Sequence, residues 1–127
     1  MNRMDNQKKI IIIDDDDRNI FALNAVLRAK GYQCVGATSG EEGLKMLRTE
    51  PEQFGIVLVD IMMPEMDGYQ VISRIKKEPE LQKIPLVAVT AQAMVGDREK
   101  CLESGADNYI SKPINVDKLL NILREHI

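Results

Sequence analysis

The sequence predicts an α/β fold in which parallel strands form one sheet with helices on both faces. Short apolar runs alternate with helical patterns five times along the 127 residues. The runs are continuously apolar and rich in β-branched residues, as is typical of strands covered on both faces. Alternating strands and helices are joined by right-handed crossovers, which make the strands parallel. We expect residues 1–127 to form a single domain, with residues 1–7 as a flexible N-terminal tail.

Apolar runs, helix caps and helix stops predict the elements in the first half of the chain. Gly31 follows the first helical pattern and is a typical C-terminal stop. Ser39 and Glu42 have the spacing of a capping box, and Pro51 ends the helix that they begin. The predicted elements are a strand at Lys9–Ile13, a helix at Asp17–Lys30, a strand at Gln33–Ala37, a helix from Ser39 to Glu50 and a strand at Ile56–Val59.

The second half of the chain continues the alternation with three helices and two strands. A loop, Ile61–Asp67, precedes a helix with Val71, Ile72 and Ile75 on one face. Asp97 is predicted to cap the next helix, which stops at Gly105. The remaining predicted elements are strands at Leu86–Val89 and Asn108–Ile110 and a closing helix at Asp117–Glu125.

Composition and charge exclude several classes of function. The net charge of −3 gives no basic face for phosphates, so we expect no direct contact with nucleic acid. The longest apolar runs are too short to span a bilayer, and the polar N-terminus is unlike a signal peptide. Cys34 and Cys101 lack metal-type spacing and are interpreted as reduced thiols. We therefore expect a cytoplasmic protein without a membrane partner.

Chemically active side chains follow four of the five predicted strands. The first strand runs into Asp14 and Asp15, and the third ends at Asp60. Thr90 follows the fourth strand and Lys112 follows the fifth. In an open parallel sheet, ligands bind beyond the carboxyl ends of the strands. The sequence therefore predicts one site that combines carboxylates, a hydroxyl and an ammonium.

Electrostatics predicts a divalent cation at that site. Asp14, Asp15 and Asp60 would place three negative charges close together, and without a cation at least one pKa should rise. Mg²⁺ suits carboxylate oxygens and water, with Mn²⁺ as a substitute. A metal, an ammonium, a hydroxyl and a free carboxylate are the groups that phosphoryl transfer needs. Asp16 and Asp17 instead fall at the N-terminus of the next helix, where the helix dipole favours anions.

Three segments resemble one known family. "IIIIDDD", "VLVDIMMPEMDGY" and "VAVTAQAMVGDREKCLESGADNYISKP" are similar to the receiver domain of two-component response regulators, and the resemblance runs from about Lys8 to the C-terminus. It implies a flavodoxin-like three-layer (βα)₅ fold, with the doubly wound strand order 2-1-3-4-5. The stretch "TAQAMVGDREKCLESGADNYISKPI" looks especially like receivers fused to hybrid sensor histidine kinases. Asp17 stands where many relatives have proline, which a helix start tolerates.

The resemblance also implies a role for each matched residue. Asp60 would be the phosphoacceptor and Lys112 would hold the phosphoryl group, while Thr90 and Tyr109 would be the switch residues. The expected metal ligands are Asp14, Asp15, Asp60 and the backbone carbonyl of Met62. The peptide bond before Pro113 is expected to be cis.

A phosphoaccepting switch is the function that this family implies. A histidine kinase or a histidine phosphotransfer protein would donate the phosphoryl group in a Mg²⁺-dependent step. The face formed by the fourth helix, the fifth strand and the fifth helix would then change shape for a downstream protein or a fused domain. The chain would not be an enzyme with its own substrate, although it would assist its own phosphorylation and dephosphorylation. Whether it acts alone or belongs to a longer protein stays open.

Two alternatives come from other functional classes. A haloacid dehalogenase-type phosphatase also has an apolar strand followed by Asp-x-Asp, with Asp14 as the nucleophile and Asp16 as the acid/base. The short chain without room for a cap, and the residues Asp17 and Arg18 where that family has glycine and threonine, argue against it. The other alternative is a docking module that works without phosphorylation, which a missing site residue would indicate. None of the matched positions is missing.

Overall fold

The computed structural model of the chain describes residues 8–91 and 96–126, so the predicted tail at residues 1–7 lies outside the described residues. Within these described residues, five strands alternate with five helices, and one short 3₁₀ helix, Pro51–Gln53, precedes the third strand. The elements are β1 (Lys9–Ile13), α1 (Asp17–Ala29), β2 (Cys34–Ala37), α2 (Gly40–Thr49), β3 (Phe54–Asp60), α3 (Gly68–Lys77), β4 (Leu86–Thr90), α4 (Asp97–Ser104), β5 (Asn108–Ser111) and α5 (Val116–His126).

The five strands form one sheet in the order β2-β1-β3-β4-β5, and every neighbouring pair is parallel. This confirms the predicted flavodoxin-like order. The edge strand β2 lies on one side of β1, and the chain then crosses to the other side of β1, where it forms β3. The order therefore reverses between β1 and β3, and the carboxyl ends of these two strands meet at the switch point.

The apolar residues of the sheet divide between two cores, one on each face. In β1, Ile11 and Ile13 belong to the larger cluster with residues of α2 and α3, whereas Ile10 and Ile12 belong to the cluster with α1 and α5. Every residue of β3 is buried. Successive side chains of a strand point to opposite faces, so a strand covered on both sides must be apolar throughout. The continuous apolar runs in the sequence have this cause.

Two helix starts differ from their predicted form. The left-handed residue Gly96, with φ of 99°, precedes α4, and Asp97 is the first helical residue, so its predicted capping role was wrong. At α2, Ser39 Oγ accepts a hydrogen bond from Glu42 N as predicted. The Glu42 carboxylate, however, accepts from the backbone N–H of Thr38 at 2.7 Å, one residue earlier than in a capping box.

The third strand is longer than the sequence pattern predicts, since it begins at Phe54 and ends at Asp60. The 3₁₀ helix turns the chain into the sheet directly, and Phe54 is paired with Lys9 of β1. Across the described ranges, no helix has both the length and the apolar character needed to cross a membrane.

Candidate functional site

The predicted site residues meet at the carboxyl edge of the sheet. Asp14 is the first residue after β1, and Asp60 and Thr90 are the last residues of β3 and β4. Lys112 follows β5 directly. Asp14, Asp60 and Thr90 are 4%, 4% and 6% exposed, and they are the buried polar residues of the described chain. The ends of three parallel strands thus position buried polar side chains next to the apolar core.

The Lys112 ammonium contacts both buried carboxylates. Its Nζ lies 3.2 Å from Oδ2 of Asp60 and 3.6 Å from Oδ2 of Asp14. The two carboxylates are almost completely buried, whereas the Lys112 side chain is 29% exposed. A buried carboxylate without a neighbouring positive charge is costly to keep ionised. The ammonium therefore compensates negative charge at both carboxylates.

The acidic residues form a cluster with the geometry of a cation site. Asp14, Asp15 and Asp60 each place one carboxylate oxygen within 4.8 Å of the others. Asp14 and Asp60 are buried while Asp15 is exposed, so a hydrated ion has access from one side. All three donors are hard carboxylate oxygens, and one open side leaves room for water ligands. These residues fit Mg²⁺, which prefers this donor set.

Backbone and side-chain hydrogen bonds fix the two buried carboxylates. The Asp16 N–H donates to Oδ1 of Asp14 at 2.9 Å, and Asn19 Nδ2 donates to Oδ2 at 3.3 Å. The Met62 N–H donates to Oδ1 of Asp60 at 3.0 Å. Met62 is therefore adjacent to the acid cluster, and the role of its carbonyl as a metal ligand stays a prediction.

The charged groups shift one another's pKa values. Burial raises the pKa of Asp60, and the nearby Asp14 carboxylate raises it further, while the Met62 N–H and Lys112 oppose the rise. Burial disfavours the Lys112 ammonium, but the attraction of Asp60 and Asp14 is stronger, and the pKa of Lys112 is raised. The pKa of Asp60 is thus raised as predicted, although burial contributes more to the rise than the neighbouring acid does. A further positive charge would therefore be bound favourably here.

The loop after Asp60 is held by a helix start and a close backbone contact. Asp67 caps α3 with a full capping box, in which its side chain accepts from Gln70 N and the Gln70 side chain accepts from Asp67 N. The Gly68 N–H donates to the Ile61 carbonyl at 3.0 Å. A Cβ on Gly68 would lie 2.6 Å from the carbonyl oxygen of Asp60. Only glycine allows the helix start to approach the phosphoacceptor candidate this closely.

The remaining predicted residues lie around the same edge. Thr90 is buried and is paired in register with Ser111 of β5. Tyr109 is partly buried and packs against the core on the α2 and α3 face. The peptide bond between Lys112 and Pro113 is cis. The switch roles of Thr90 and Tyr109 stay predictions.

Sequence reasoning missed Asn19 and Gln70. Asn19 orients Asp14 from the first turn of α1, and Gln70 completes the cap that begins α3. The Asp67–Gln70 spacing is a recognisable capping box, so Gln70 was detectable. Asn19 was not, because its role depends on how the first turn of α1 is positioned over the end of β1.

The geometry disfavours Asp16 as a catalytic acid. Its side chain caps α1 by accepting from the Arg18 N–H at 2.9 Å, and it forms an ion pair with the Arg18 guanidinium at 3.2 Å. The side-chain hydrogen bond from Arg18 lowers the pKa of Asp16. A general acid needs a raised pKa near the working pH, so the phosphatase alternative gains no support.

Comparison with known proteins agrees with this geometry. Residues 10–124 match the family model described as the response regulator receiver domain. The chain belongs to the response regulator receiver family. The polar-differentiation response regulator DivK of Brucella ovis is 34% identical over 120 residues, which cover 94% of this chain and 96% of DivK.

Two solved receiver structures are also similar. A putative response regulator from Chloroflexus aurantiacus has a TM-score of 0.87 at 29% identity, covering 94% of this receiver and 96% of that chain. The receiver domain of the sensor histidine kinase PA1611 from Pseudomonas aeruginosa has a TM-score of 0.84 at 28% identity, covering 94% and 97%. The latter was crystallised with a magnesium ion coordinated in its active-site cleft. This receiver is therefore a two-component signalling domain with an acid cluster of the kind that binds Mg²⁺ in its family.

Proposed function

We propose that this receiver is a phosphoaccepting switch in which Asp60 takes a phosphoryl group from a phosphohistidine. The observation that supports the proposal most strongly is the Lys112 ammonium lying within 3.6 Å of two buried carboxylates. A buried carboxylate with a neighbouring cation has the nucleophile and the charge-neutralising group that the reaction needs. The proposal rests on this arrangement and on membership of the family.

The reaction exchanges one phosphorus bond for another. An oxygen of the ionised Asp60 carboxylate attacks the phosphorus, the P–N bond to the donor imidazole breaks, and its electron pair stays on the imidazole nitrogen. The Met62 N–H already donates to Oδ1 of Asp60, so Oδ1 is oriented and Oδ2 faces Lys112. Lys112 neutralises charge on the phosphoryl oxygens as they arrive.

Asp14, Asp15 and Asp60 are the residues that would hold Mg²⁺, with the Met62 carbonyl as the remaining proposed protein ligand. The ion would supply Lewis-acid stabilisation of the phosphoryl oxygens. The Asp16 N–H and Asn19 Nδ2 each donate to one carboxylate oxygen of Asp14, and these two hydrogen bonds hold its orientation. Mn²⁺, which accepts the same oxygen donors, is the proposed substitute.

Phosphorylation is proposed to change the face formed by α4, β5 and α5. The acyl phosphate adds nearly two negative charges at the end of β3. The Thr90 hydroxyl, at the end of the adjacent strand, would bond to a phosphoryl oxygen, and Tyr109 would turn inward. Reversing an equilibrium of 99 to 1 needs roughly 5.5 kcal/mol of preference for the active state. A few charge-assisted hydrogen bonds provide an energy of this order.

The partners follow from the reaction. The donor is a histidine kinase or a histidine phosphotransfer protein, and the recipient of the signal is a downstream protein or a fused domain that contacts the α4–β5–α5 face. Neither nucleic acid nor a membrane is a proposed partner. The proposed compartment is the cytoplasm, where a phosphodonor made from a nucleoside triphosphate is available.

The test is phosphorylation by a small donor. Incubation with acetyl phosphate and Mg²⁺ should add one phosphoryl mass to the intact protein, as measured by mass spectrometry. Asp60→Asn should abolish the gain in mass. Asp117 is an exposed residue of α5, and the control variant Asp117→Asn should retain the gain. The absence of a gain in the unmodified chain, or a gain that persists in Asp60→Asn, would reject the proposal.

A further inference from the structure

A cavity of about 350 Å³ lies between α1 and the edge strand β2, at the end of the sheet opposite the acid cluster. Its lining comes from α1, from the turn after that helix, and from the first residues of β1 and β2. The volume is at the lower end of the range for sites that bind small molecules. No residue of the acid cluster lines this cavity, so it is separate from the proposed Mg²⁺ site.

The charged residues of the lining are both positive. They are Lys9, at the start of β1, and Arg28, in the last turn of α1, and no acidic residue lines the cavity. Neither side chain forms an ion pair or a hydrogen bond within residues 8–91 and 96–126. Burial raises the pKa of Cys34, which also lines the cavity, and the charge of Arg28 opposes that rise. The positive charge therefore acts inside the cavity and is available to an anion.

The end of α1 does not need the Arg28 side chain as a hydrogen-bond donor. The Leu27 carbonyl accepts from the N–H groups of Lys30 and Tyr32, both at 3.0 Å. The Arg28 carbonyl accepts from the Gly31 N–H at 3.0 Å. Gly31 has a φ of 94°, which allows the chain to turn back over the helix end in this way. The backbone thus satisfies these two carbonyls and leaves the guanidinium free to bind a ligand.

Neutral polar residues share the lining with the two cations. Asn24, Tyr32 and Gln33 line the cavity, and Asn24 and Tyr32 are partly buried. In the described part of the chain, none of these three side chains forms a hydrogen bond. Carboxamides and phenols each offer a donor and an acceptor, as the hydroxyl groups of a sugar do. The lining therefore combines uncompensated positive charge with groups that can bind hydroxyls.

We propose that this cavity binds a phosphorylated sugar, with the phosphate at Lys9 and Arg28 and the hydroxyl groups at the neutral polar residues. A phosphate monoester carries close to two negative charges at neutral pH, which balances the two cations. A guanidinium binds phosphate oxygens through two parallel N–H bonds. Two cations suit a single anionic group, whereas a nucleic acid needs an extended basic face. The proposal goes beyond phosphoryl transfer to Asp60 and does not depend on it.

Glucose 6-phosphate is a suitable probe, since glucose and inorganic phosphate are its two halves. Each is titrated into the full chain and followed by NMR without divalent ions, at an ionic strength of about 0.1 M, where charges more than roughly 10 Å apart are screened. We expect saturable binding of glucose 6-phosphate, about tenfold or more tighter than either half, because each half lacks one set of contacts. The largest shifts should fall on the backbone amides of residues 31–35.

A matched pair of charge variants tests the location. Arg28→Gln removes one of the two lining cations and should weaken the binding of glucose 6-phosphate about tenfold. Lys30 is an exposed residue outside the lining, and Lys30→Gln should bind within about twofold of the unmodified chain. Arg28 is also exposed, so both variants should fold normally.

Several results would overturn the proposal. Inorganic phosphate binding as tightly as glucose 6-phosphate would indicate an adventitious ion only, and glucose binding as tightly would exclude phosphate recognition. No saturable binding, shifts centred away from residues 31–35, or equal affinities of Arg28→Gln and Lys30→Gln would exclude the cavity. Phosphorylation of Asp60 by acetyl phosphate is a separate assay, so its failure is distinguishable from a failure to bind the sugar phosphate.

Discussion

Lys112 Nζ lies 3.2 Å from Asp60 Oδ2, although 52 residues separate the two in the chain. Asp60 ends β3 and Lys112 follows β5, so the ammonium reaches across the end of β4 to make this contact. The same ammonium lies 3.6 Å from Asp14 after β1. The Lys112 ammonium thus contacts the acids at the ends of β1 and β3, the two strands on either side of the switch point.

Replacing Lys112 with glutamine should slow phosphorylation by acetyl phosphate about 10²–10³-fold, because a preorganised positive group beside the reacting oxygen is lost. The measurement is the rate at which the intact mass increases in the presence of Mg²⁺. Lys118→Gln, an exposed position on α5, is the matched control and should leave the rate unchanged. Equal rates for the two variants would contradict the role of Lys112.

Asp60→Asn should make the fold more stable at neutral pH. Burial raises the pKa of Asp60, so the folded protein binds the proton more tightly than the unfolded chain does. The favourable contribution is complete below the ordinary pKa of 3.8 and is lost as pH rises through the higher folded-state pKa. The gain in free energy of unfolding on substitution should therefore be larger at neutral than at acidic pH.

Urea denaturation of both proteins at the two pH values measures this gain. Asparagine keeps an oxygen that accepts from the Met62 N–H but loses the Lys112 contact at both pH values, so the difference between the two pH values isolates the charge. A gain of the same size at both pH values would show that the charge of Asp60 is not its cause.

Adding Mg²⁺ should stabilise the folded chain, because the acid cluster binds the ion only when β1 and β3 are in place. At a hundredfold excess over the dissociation constant, the gain is about 2.7 kcal/mol. Thermal denaturation with and without a chelator measures it. Asp15→Asn should remove most of the gain, since one of three carboxylates loses its charge, whereas Asp117→Asn should retain it. An unchanged gain in Asp15→Asn would place the ion elsewhere.

Gly68→Ala should destabilise the protein by about 1–3 kcal/mol, since the added Cβ would lie 2.6 Å from backbone atoms of both Asp60 and Ile61. The displaced backbone carries the Asp60 carboxylate, so phosphorylation should slow as well. Chemical denaturation and the acetyl phosphate assay are the two measurements. Ser73→Ala, on the same helix, is the control and should change neither. A stable, fully active Gly68→Ala would show that the close contact is dispensable.

The Cys34 thiol should be unreactive in the folded protein at mildly alkaline pH. Burial raises its pKa to about 11 from an ordinary 9.0, with Arg28 opposing the rise slightly. The folded state therefore keeps its proton where the unfolded chain loses it, and stability should fall as pH rises from about 9 towards 11.

Alkylation by iodoacetamide, mapped to Cys34 by peptide mass spectrometry, measures the reactivity of the thiol in the folded protein. Urea denaturation at several alkaline pH values measures the fall in stability. In Cys34→Ser, the free energy of unfolding should fall less steeply with pH. Rapid alkylation of Cys34 in the folded chain at mildly alkaline pH would show that the thiol is not protected.

The sequence carried enough information for the fold and for the candidate site residues. Ile10–Ile13 and Ile56–Val59 are apolar at every position because helices cover both faces of their strands, so the pattern itself indicates a buried parallel sheet. Polar residues after such strands are conspicuous, which is why Asp14, Asp60 and Lys112 were identifiable. The strand order came from family resemblance, since periodicity does not determine which strands are neighbours.

Features that depend on contacts between distant segments were not predictable in this way. Asn19 acts on Asp14 only because the first turn of α1 lies over the end of β1. The wrong capping role of Asp97 has a local cause, because the left-handed Gly96 occupies the position before α4 and Asp97 is already helical.

The sequence by itself determined which elements form and which polar side chains follow them, because burial on two faces and helix capping are local patterns. Only the tertiary structure decided that Lys112 contacts both Asp60 and Asp14, that burial raises the pKa of Asp60, and that a cavity remains between α1 and β2. Distances, desolvation and packing gaps arise when the sheet and its helices come together, and they leave no signal in the spacing of residues.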